Sequence, residues 1–469
     1  MMRRTFIVSA LIVILSLSFL SLATSDFEIS DEYSVSDPYI PVFRNDKQYA
    51  SVISWDDYPV SDRNVSYMED SLGMKHTSFI VTQRIDDEHE ACCLDMMFRG
   101  HDIQSHGWKH IALGETDNLT LVREVLERSY GEIQDKFGFE PILFAYPFGS
   151  ADENSTSIAM EYYDLGRGIQ YEGKERIGEW PITHKEYAGH SLVNPNGICD
   201  DSVHKIYGQF EKMITEQKPA PFNPEQDNMI KNVNSSRVFK LYGHTTDSFI
   251  NESSMEELEN QLTRLSNRND TWFTSWGEAI AYEKARSLTN LSELTVADNL
   301  SLNMVVEDEI ERYPVEITVK AEVPSLWKNP VVQIGNKYVS NANTIEKNQS
   351  KWIMFNVVPH NCSIRIADGV SPDESKPSVN NPTLEYLSGN TVIRFDVNDD
   401  HGFISDVNAT LSNGTYTEHF SIVENPLFWN NETYGLVADS YIGGNLSLTV
   451  HALDTNGNYV LHRFNVSQL

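Results

Sequence analysis

Four short clusters in the chain carry residues able to do chemistry. The first is Ser54-Trp55-Asp56-Asp57-Tyr58-Pro59. Adjacent carboxylates at the end of a strand point in different directions, so one can hold a cation while its neighbour takes a proton. Taken alone, an Asp-Asp pair is an ordinary solvated turn. The second is His101-Asp102-Ile103-Gln104-Ser105-His106-Gly107-Trp108-Lys109-His110. His106 and His110 are four apart, a spacing that on a helical turn puts both imidazoles on one face, where they can share a metal. His101 precedes the strand pattern and reads as a surface residue. The third, Phe144-Ala145-Tyr146-Pro147-Phe148-Gly149, offers aromatics and a glycine as the wall of a loop. The fourth, Leu241-Tyr242-Gly243-His244-Thr245, ends in a histidine able to act as a general acid.

Each cluster follows a run that reads as a strand, and the elements between them alternate. Ala50 to Ser54, His76 to Val81, Ile142 to Ala145, Val238 to Tyr242 and Trp272-Phe273 are strand-like. Asn118 to Phe137 is a predicted helix, with Leu119, Val122, Leu126, Ile133 and Phe137 on one face, Gly138 to stop it and Pro141 to bar its return. Met255 to Leu265 and Trp276 to Arg286 are further helices. Alternating βα units of this length specify a parallel α/β sheet or barrel. In such a barrel the C-terminal strand ends share one face, which is where the four clusters would meet.

After about Leu291 the helical periodicity stops. Val315 to Val319, Val331 to Val339, Trp352 to Val358 and Ser363 to Ile366 form one set of short strands. A second set comprises Thr391 to Val397, Val407 to Leu411, His419 to Val423, Leu446 to Ala452 and Val460 to Phe464. Ser371 to Pro382, rich in Pro, Ser and charge, reads as a linker between two β-sandwiches. The expected division is residues 1–25 as a signal peptide, 26–290 as the α/β unit, 291–370 as one sandwich and 383–469 as another.

The N-terminus supports export. Two arginines in Met1 to Arg4 precede an uncharged apolar run, Thr5 to Leu22, and the small residues Ala23-Thr24-Ser25. This is the layout of a signal peptide, with an uncleaved membrane anchor as its rival. The 469 residues carry a net charge of −32, which repels nucleic acid. The acidity is spread along the chain, since a net −12 lies from Leu291 onward. Fifteen of 37 asparagines begin an Asn-x-Ser/Thr sequon, a motif read only in exported chains. The four cysteines, Cys92, Cys93, Cys199 and Cys362, lack the spacing of a zinc-thiolate site. They leave open one disulfide from Cys92 or Cys93 to Cys199.

In their order and spacing, the four clusters resemble the motifs of the polysaccharide deacetylase family. Ser-Trp-Asp-Asp-Tyr is similar to its Thr-Phe-Asp-Asp-Gly, His106 and His110 to its histidine pair, Pro147-Phe148-Gly149 to its Pro-Tyr/Phe-Gly, and Leu241 with His244 to its Leu/His motif. The resemblance runs from about Val42 to Ser287. It implies a deformed (β/α) barrel holding one divalent metal, usually zinc, with Asp57, His106 and His110 as ligands, Asp56 as base and His244 as acid. Tyr58, Tyr146, Pro147, Phe148, Arg167, Trp180 and Leu241 would line the substrate. The implied activity is removal of N-acetyl groups from an N-acetylhexosamine polymer or surface glycan outside the cell. A catalytically silent glycan-binding or cell-envelope protein is the alternative. Three positions depart from the pattern. Tyr58 stands for a glycine, Gly107 for a Ser/Thr, and Ala145 for an arginine that orients the base, a charge that Arg167 could supply from the next strand. Ala452-Leu453-Asp454-Thr455-Asn456-Gly457-Asn458 is similar to a hairpin of immunoglobulin-like surface domains.

Overall fold

A computed structural model describes residues 37–168, 190–191, 238–245, 252–296, 299–339, 342–347, 350–423, 433–438 and 446–465. The expected signal segment, Trp180 and Cys199 lie outside them.

The first half is a deformed (β/α) barrel. Its elements run β1 (Tyr49–Asp56), α1 (Pro59–Ser71), β2 (His76–Ile80), α2 (Asp87–Phe98), β3 (Asp102–Ser105), α3 (Leu119–Phe137), β4 (Leu143–Ala145), α4 (Glu153–Ala159), β5 (Leu165–Arg167), β6 (His190–Ser191), β7 (Val238–Gly243), α5 (Glu252–Ser266), β8 (Thr271–Thr274) and α6 (Trp276–Ser287). The strand order is β5-β4-β3-β2-β1-β7-β6, every pair parallel. One edge of β1 is shared, with Tyr49 to Val52 pairing β8 and Ile53 to Asp56 pairing β2. β1 to β5 are almost wholly buried, as parallel strands covered on both faces must be.

The helices start and stop where local chemistry permits. Pro59 opens α1 at a position whose N–H would have no partner. Asp86, Asn118, Asp152 and Ser275 cap α2, α3, α4 and α6 by accepting backbone N–H groups. Gly138, at φ +79°, ends α3 as expected. That helix buries Val122, Val125, Leu126, Ile133 and Phe137, but Leu119, expected on the same face, is exposed.

The second half is all antiparallel β. Strands β9 (Thr289–Val296), β10 (Asn299–Val306), β11 (Ile317–Val323), β12 (Pro330–Ile334), β13 (Lys337–Val339), β14 (Asn343–Lys347), β15 (Ser350–Val357) and β16 (Cys362–Asp368) form the first sandwich. Its layers are β13-β12-β16-β10-β9 and β11-β15-β14. Strands β17 (Ser378–Leu387), β18 (Asn390–Asn398), β19 (Ile404–Ser412), β20 (Thr417–Ile422), β21 (Thr433–Ala438), β22 (Ser447–Asp454) and β23 (Tyr459–Asn465) form the second, as β17-β18-β21 and β20-β19-β22-β23.

Two expectations are corrected here. The Pro- and Ser-rich stretch is not simply a linker, because β17 begins at Ser378. The strand sits at the edge of its sheet and bulges between Asn380 and Thr383, which is where Pro382, lacking an N–H, is tolerated. The sandwiches pack against the barrel. A single hydrophobic cluster joins Trp272, Trp276 and Ile280 of the barrel to Tyr313, Val315, Ile317 and Val319 of the first sandwich. Phe98 of α2 packs with Val392 and Val437 of the second. The boundary expected at residue 290 falls inside β9.

Candidate active site

The site forms at the C-terminal ends of β1, β3 and β7. β1 ends on Asp56, and the chain turns at Asp57, whose φ is +79°. Aspartate is among the few side chains that tolerate this region. The Asp57 N–H donates to the Phe79 carbonyl of β2 at 3.0 Å, holding the turn in place. Tyr58 follows with φ −124°, so its position makes no demand for glycine. The left-handed residue of the turn is the aspartate itself.

His106 leaves β3 with its N–H on the Ile80 carbonyl at 2.8 Å. Its Nδ1 lies 2.8 Å from the Ala145 carbonyl. A carbonyl only accepts, so Nδ1 carries the proton and Nε2 keeps a lone pair. Gly107, at φ +89°, then reverses the chain, and a Cβ there would meet the Lys109 carbonyl and Val125 Cγ1 at 3.1 Å. Glycine therefore suits this loop better than the usual hydroxyl residue. His110 arrives along an irregular loop and not on the helical turn that its spacing suggested. The two imidazoles still approach, with ring centroids 5.0 Å apart. His110 Nε2 is 3.6 Å from Asp57 Oδ1. One ligand atom each from Asp57, His106 and His110 lies within 4.8 Å of the other two. One carboxylate oxygen and two imidazole nitrogens, one with its lone pair already oriented, form a donor set that fits a divalent metal.

Asp56 is buried and pairs with Arg167, whose Nη2 donates to Asp56 Oδ2 at 2.5 Å. The register explains the partnership, because Arg167 on β5 is paired with Ala145 on β4. The guanidinium expected at residue 145 is thus supplied one strand over at the same level. It lies between the rings of Phe79 and Tyr242, 4.9 and 5.0 Å from their centroids. Burial opposes ionisation of Asp56, but Arg167, His106 and His244 outweigh it and hold its carboxyl below the usual range. Asp56 Oδ1 is buried with no hydrogen-bond partner. Burial, reinforced by His106, pushes His110 down to about 4 against the pull of Asp57. His244, at the end of β7, places Nε2 3.9 Å from Asp57 Oδ2.

The expected substrate wall divides. Tyr58 and Phe148 are exposed, and the Phe148 ring sits 4.4 Å from that of His110. Tyr146 and Pro147 are buried. Leu241 has no exposure and belongs to the core with Ile53, Trp55, Val65 and Leu258, so it cannot touch a ligand. Arg167 is a partner of Asp56 and not a wall residue. His101 is also corrected. It is fully buried against His76, with Asp70 of α1 3.2 Å from its Nε2. Cys92 and Cys93 are buried and free on α2.

Two neighbours escaped the sequence reading. Arg84 Nη1 reaches Asp57 Oδ1 at 3.1 Å from the turn after β2. Its only sequence signal was its place beyond a strand's C-terminal end. Asp62 on α1 is buried beneath the site, where it accepts from Ser78 Oγ of β2 and Thr245 Oγ1 next to His244. Burial pushes its carboxyl up to about 7. It carried no signal, since a single aspartate in a polar helix reads as solvated.

Residues 44–163 match the family model for polysaccharide deacetylase. The barrel thus contains a polysaccharide deacetylase-like domain. Among curated proteins, a gellan lyase from Bacillus sp. is 23% identical over 363 residues, covering 73% of this chain and 13% of that protein. Chitin deacetylase 1 from Cryptococcus neoformans var. grubii is 26% identical over 179 residues, covering 36% of this chain and 34% of its own. The matches thus take in well under two thirds of either relative. A family 4 acetyl xylan esterase from Clostridium thermocellum, solved with a cobalt ion, superposes with a TM-score of 0.31 at 17% identity, covering 49% of this chain and 89% of that one.

Proposed function

We propose that the chain is an exported metal-dependent hydrolase that removes N-acetyl groups from an N-acetylhexosamine polymer or surface glycan. The observation that carries this reading is the buried Asp56–Arg167 pair, with Asp56 Oδ1 left without a hydrogen-bond partner, directly preceding Asp57 of the Asp57, His106 and His110 cluster. Asp57, His106 and His110 would hold the metal. Zinc suits one carboxylate and two imidazoles, and when bound it supplies Lewis acidity toward a carbonyl oxygen and a lowered pKa for water.

The chain's own groups complete the chemistry. Asp56 is held ionised and has one oxygen uncommitted, so it takes the proton of an attacking water. Arg167 keeps that carboxylate charged and fixes its direction through Oδ2. His244, at the open side of Asp57, gives a proton to the departing amine, which an amide nitrogen needs in order to leave. Tyr58 and Phe148 present exposed aromatic faces beside the cluster, a surface on which sugar rings stack. The N-terminal segment and the sequons support export.

The test is acetate release from N-acetylated polymers, including chitin oligomers and peptidoglycan, by the chain stripped of metal and then reloaded with zinc. Release that depends on metal and on His244 is expected. Absence of release with every polymer and metal would leave the glycan-binding reading in its place.

A further inference from the structure

The second sandwich buries three carboxylates together. Asp373, Asp399 and Asp454 are 9%, 5% and 2% exposed. One oxygen from each lies within 4.8 Å of the other two. Among the described residues no lysine or arginine forms an ion pair with any of them. Three buried carboxylates without a counter-charge repel one another and are each stripped of water, which is electrostatically costly. Something must neutralise them.

The hydrogen bonds orient all three in the same sense. Ser375 N–H and Oγ donate to Asp373 Oδ1 at 2.9 and 2.5 Å. His401 N–H and Gly402 N–H donate to Asp399 Oδ1, both at 2.8 Å, and Ser375 Oγ, whose one proton is shared between Asp373 and Asp399, lies 2.9 Å from it. Asn456 and Asn458 N–H donate to Asp454 Oδ1, both at 2.8 Å. Each Oδ1 is thus pinned and each Oδ2 turned elsewhere. Asp373 Oδ2 and Asp454 Oδ2 converge on Gly402, where a Cβ would come within 3.0 and 2.9 Å of them. Each takes one amide donor, from Asn456 and Asn458 at 2.7 and 2.9 Å. Asp399 Oδ2 is buried with no partner, and so is Asn456 Oδ1. An orphaned carboxylate oxygen on a residue 95% buried is the independent sign of a missing ligand.

We propose that Asp373, Asp399 and Asp454 bind one Ca²⁺. The donors are all oxygen, which selects a hard cation, and three carboxylates gathered in one place suit calcium, which takes six or more oxygen ligands in an irregular shell, better than magnesium, which keeps most of its waters and binds through one or two carboxylates. The ion ties together three segments: the stretch before β17, the β18–β19 loop and the β22–β23 hairpin. Two of these also grip the first sandwich. Asn456 Nδ2 and Thr455 Oγ1 donate to the Tyr338 carbonyl at 3.0 and 3.1 Å, and Tyr338 N–H donates to the His401 carbonyl at 2.7 Å. Calcium therefore sets the junction between the sandwiches, independently of the metal proposed for the barrel.

The test is calorimetric titration of the full chain, stripped with chelator, using CaCl₂ alone. Uptake at this site is expected in the parent and in His106→Ala. In Asp399→Asn and Asp454→Asn the stoichiometry should fall by one. Calcium should raise the melting temperature of the parent by on the order of 5 °C and leave that of Asp399→Asn unchanged. The parent's melting with and without calcium stands even if a variant fails to fold. No calcium uptake by the parent, a stoichiometry unchanged in both variants, or equal affinity for Mg²⁺ would overturn the assignment.

Discussion

Among the described residues the barrel contains two trios of one carboxylate and two histidines, at opposite ends of its strands. Asp57, His106 and His110 lie beyond the C-terminal ends. Glu69, His76 and His101 lie at the N-terminal ends, all three without exposure. Residue types and proximity are alike, but the lone pairs are not. In the second trio, His101 Nδ1 accepts from the His76 N–H at 3.1 Å and its Nε2 faces Asp70 Oδ1 at 3.2 Å. Glu69 accepts from Trp55 Nε1 at 3.1 Å and from His76 Nδ1. In the first, His106 spends only Nδ1, and Asp57 and His110 are partly open to solvent. A metal site thus needs uncommitted lone pairs that converge. In the second trio only His76 Nε2 is left without a partner, while both nitrogens of His101 and both oxygens of Glu69 are engaged, so no converging set of free lone pairs remains and the trio acts as a structural clamp, in keeping with the division between the two ends of a barrel.

The largest contrast should come from deleting one histidine in each trio. His106→Ala should lose the barrel metal and with it all acetate release, while folding is little altered. His76→Ala leaves the Glu69 carboxylate buried with the Trp55 indole in place of its ion-pair partner, so urea unfolding should show a loss of about 3–5 kcal/mol with metal content unchanged. If His76→Ala removed the metal, the division between the two trios would collapse.

Within the upper trio's surroundings, His244→Ala should lower turnover by roughly 10²–10⁴ without changing bound metal, because it removes an acid and no ligand. Loss of metal in that variant would make His244 a ligand instead.

Arg167→Ala should act through pH. The Asp56 carboxyl is held below its usual range, so the acid limb of activity should move to higher pH once the guanidinium is gone. Turnover at neutral pH should fall on the order of 10² as the base loses its orientation. The sign for stability follows the same shift. A depressed folded pKa stabilises above the unfolded carboxylate's pKa, and that contribution is lost as the pH falls through the folded value. The variant should therefore show a flatter decline of stability in acid. An unmoved acid limb would mean that Asp56 does not limit the rate there.

The smallest effect expected is that of Gly107→Ser, which introduces the hydroxyl that the family resemblance led one to expect there. At φ +89° a side chain costs about 1–2 kcal/mol. Metal affinity should weaken by tenfold or somewhat more, in the manner of changes that disturb a ligand's support. Tighter metal binding would show that the loop readily adopts the ordinary backbone.

The sequence by itself determined which residues could act. The order of Asp56-Asp57, His106 with His110, Pro147 to Gly149 and His244 along alternating βα runs was readable because a parallel barrel brings consecutive strand ends to one face. The helix stop at Gly138 was readable for the same kind of reason, since it depends on a few adjacent residues. The sandwiches were legible as β but poorly bounded. Pro382 looked like a linker because tolerance of proline depends on a strand being at an edge, which is a property of the sheet. Tertiary structure alone decided what each group has left to give. His101 and His106 are five residues apart on either end of one strand, yet burial beneath α1 commits both nitrogens of the first, and one carbonyl from β4 leaves the second a lone pair. Arg167 reached Asp56 through a register between strands, Leu241 turned inward, and Asp373, Asp399 and Asp454 met from three separate segments. Sequence lists donors and acceptors one at a time, whereas their function depends on which pairs are already satisfied, and hydrogen bonds between distant segments settle that only in the folded chain.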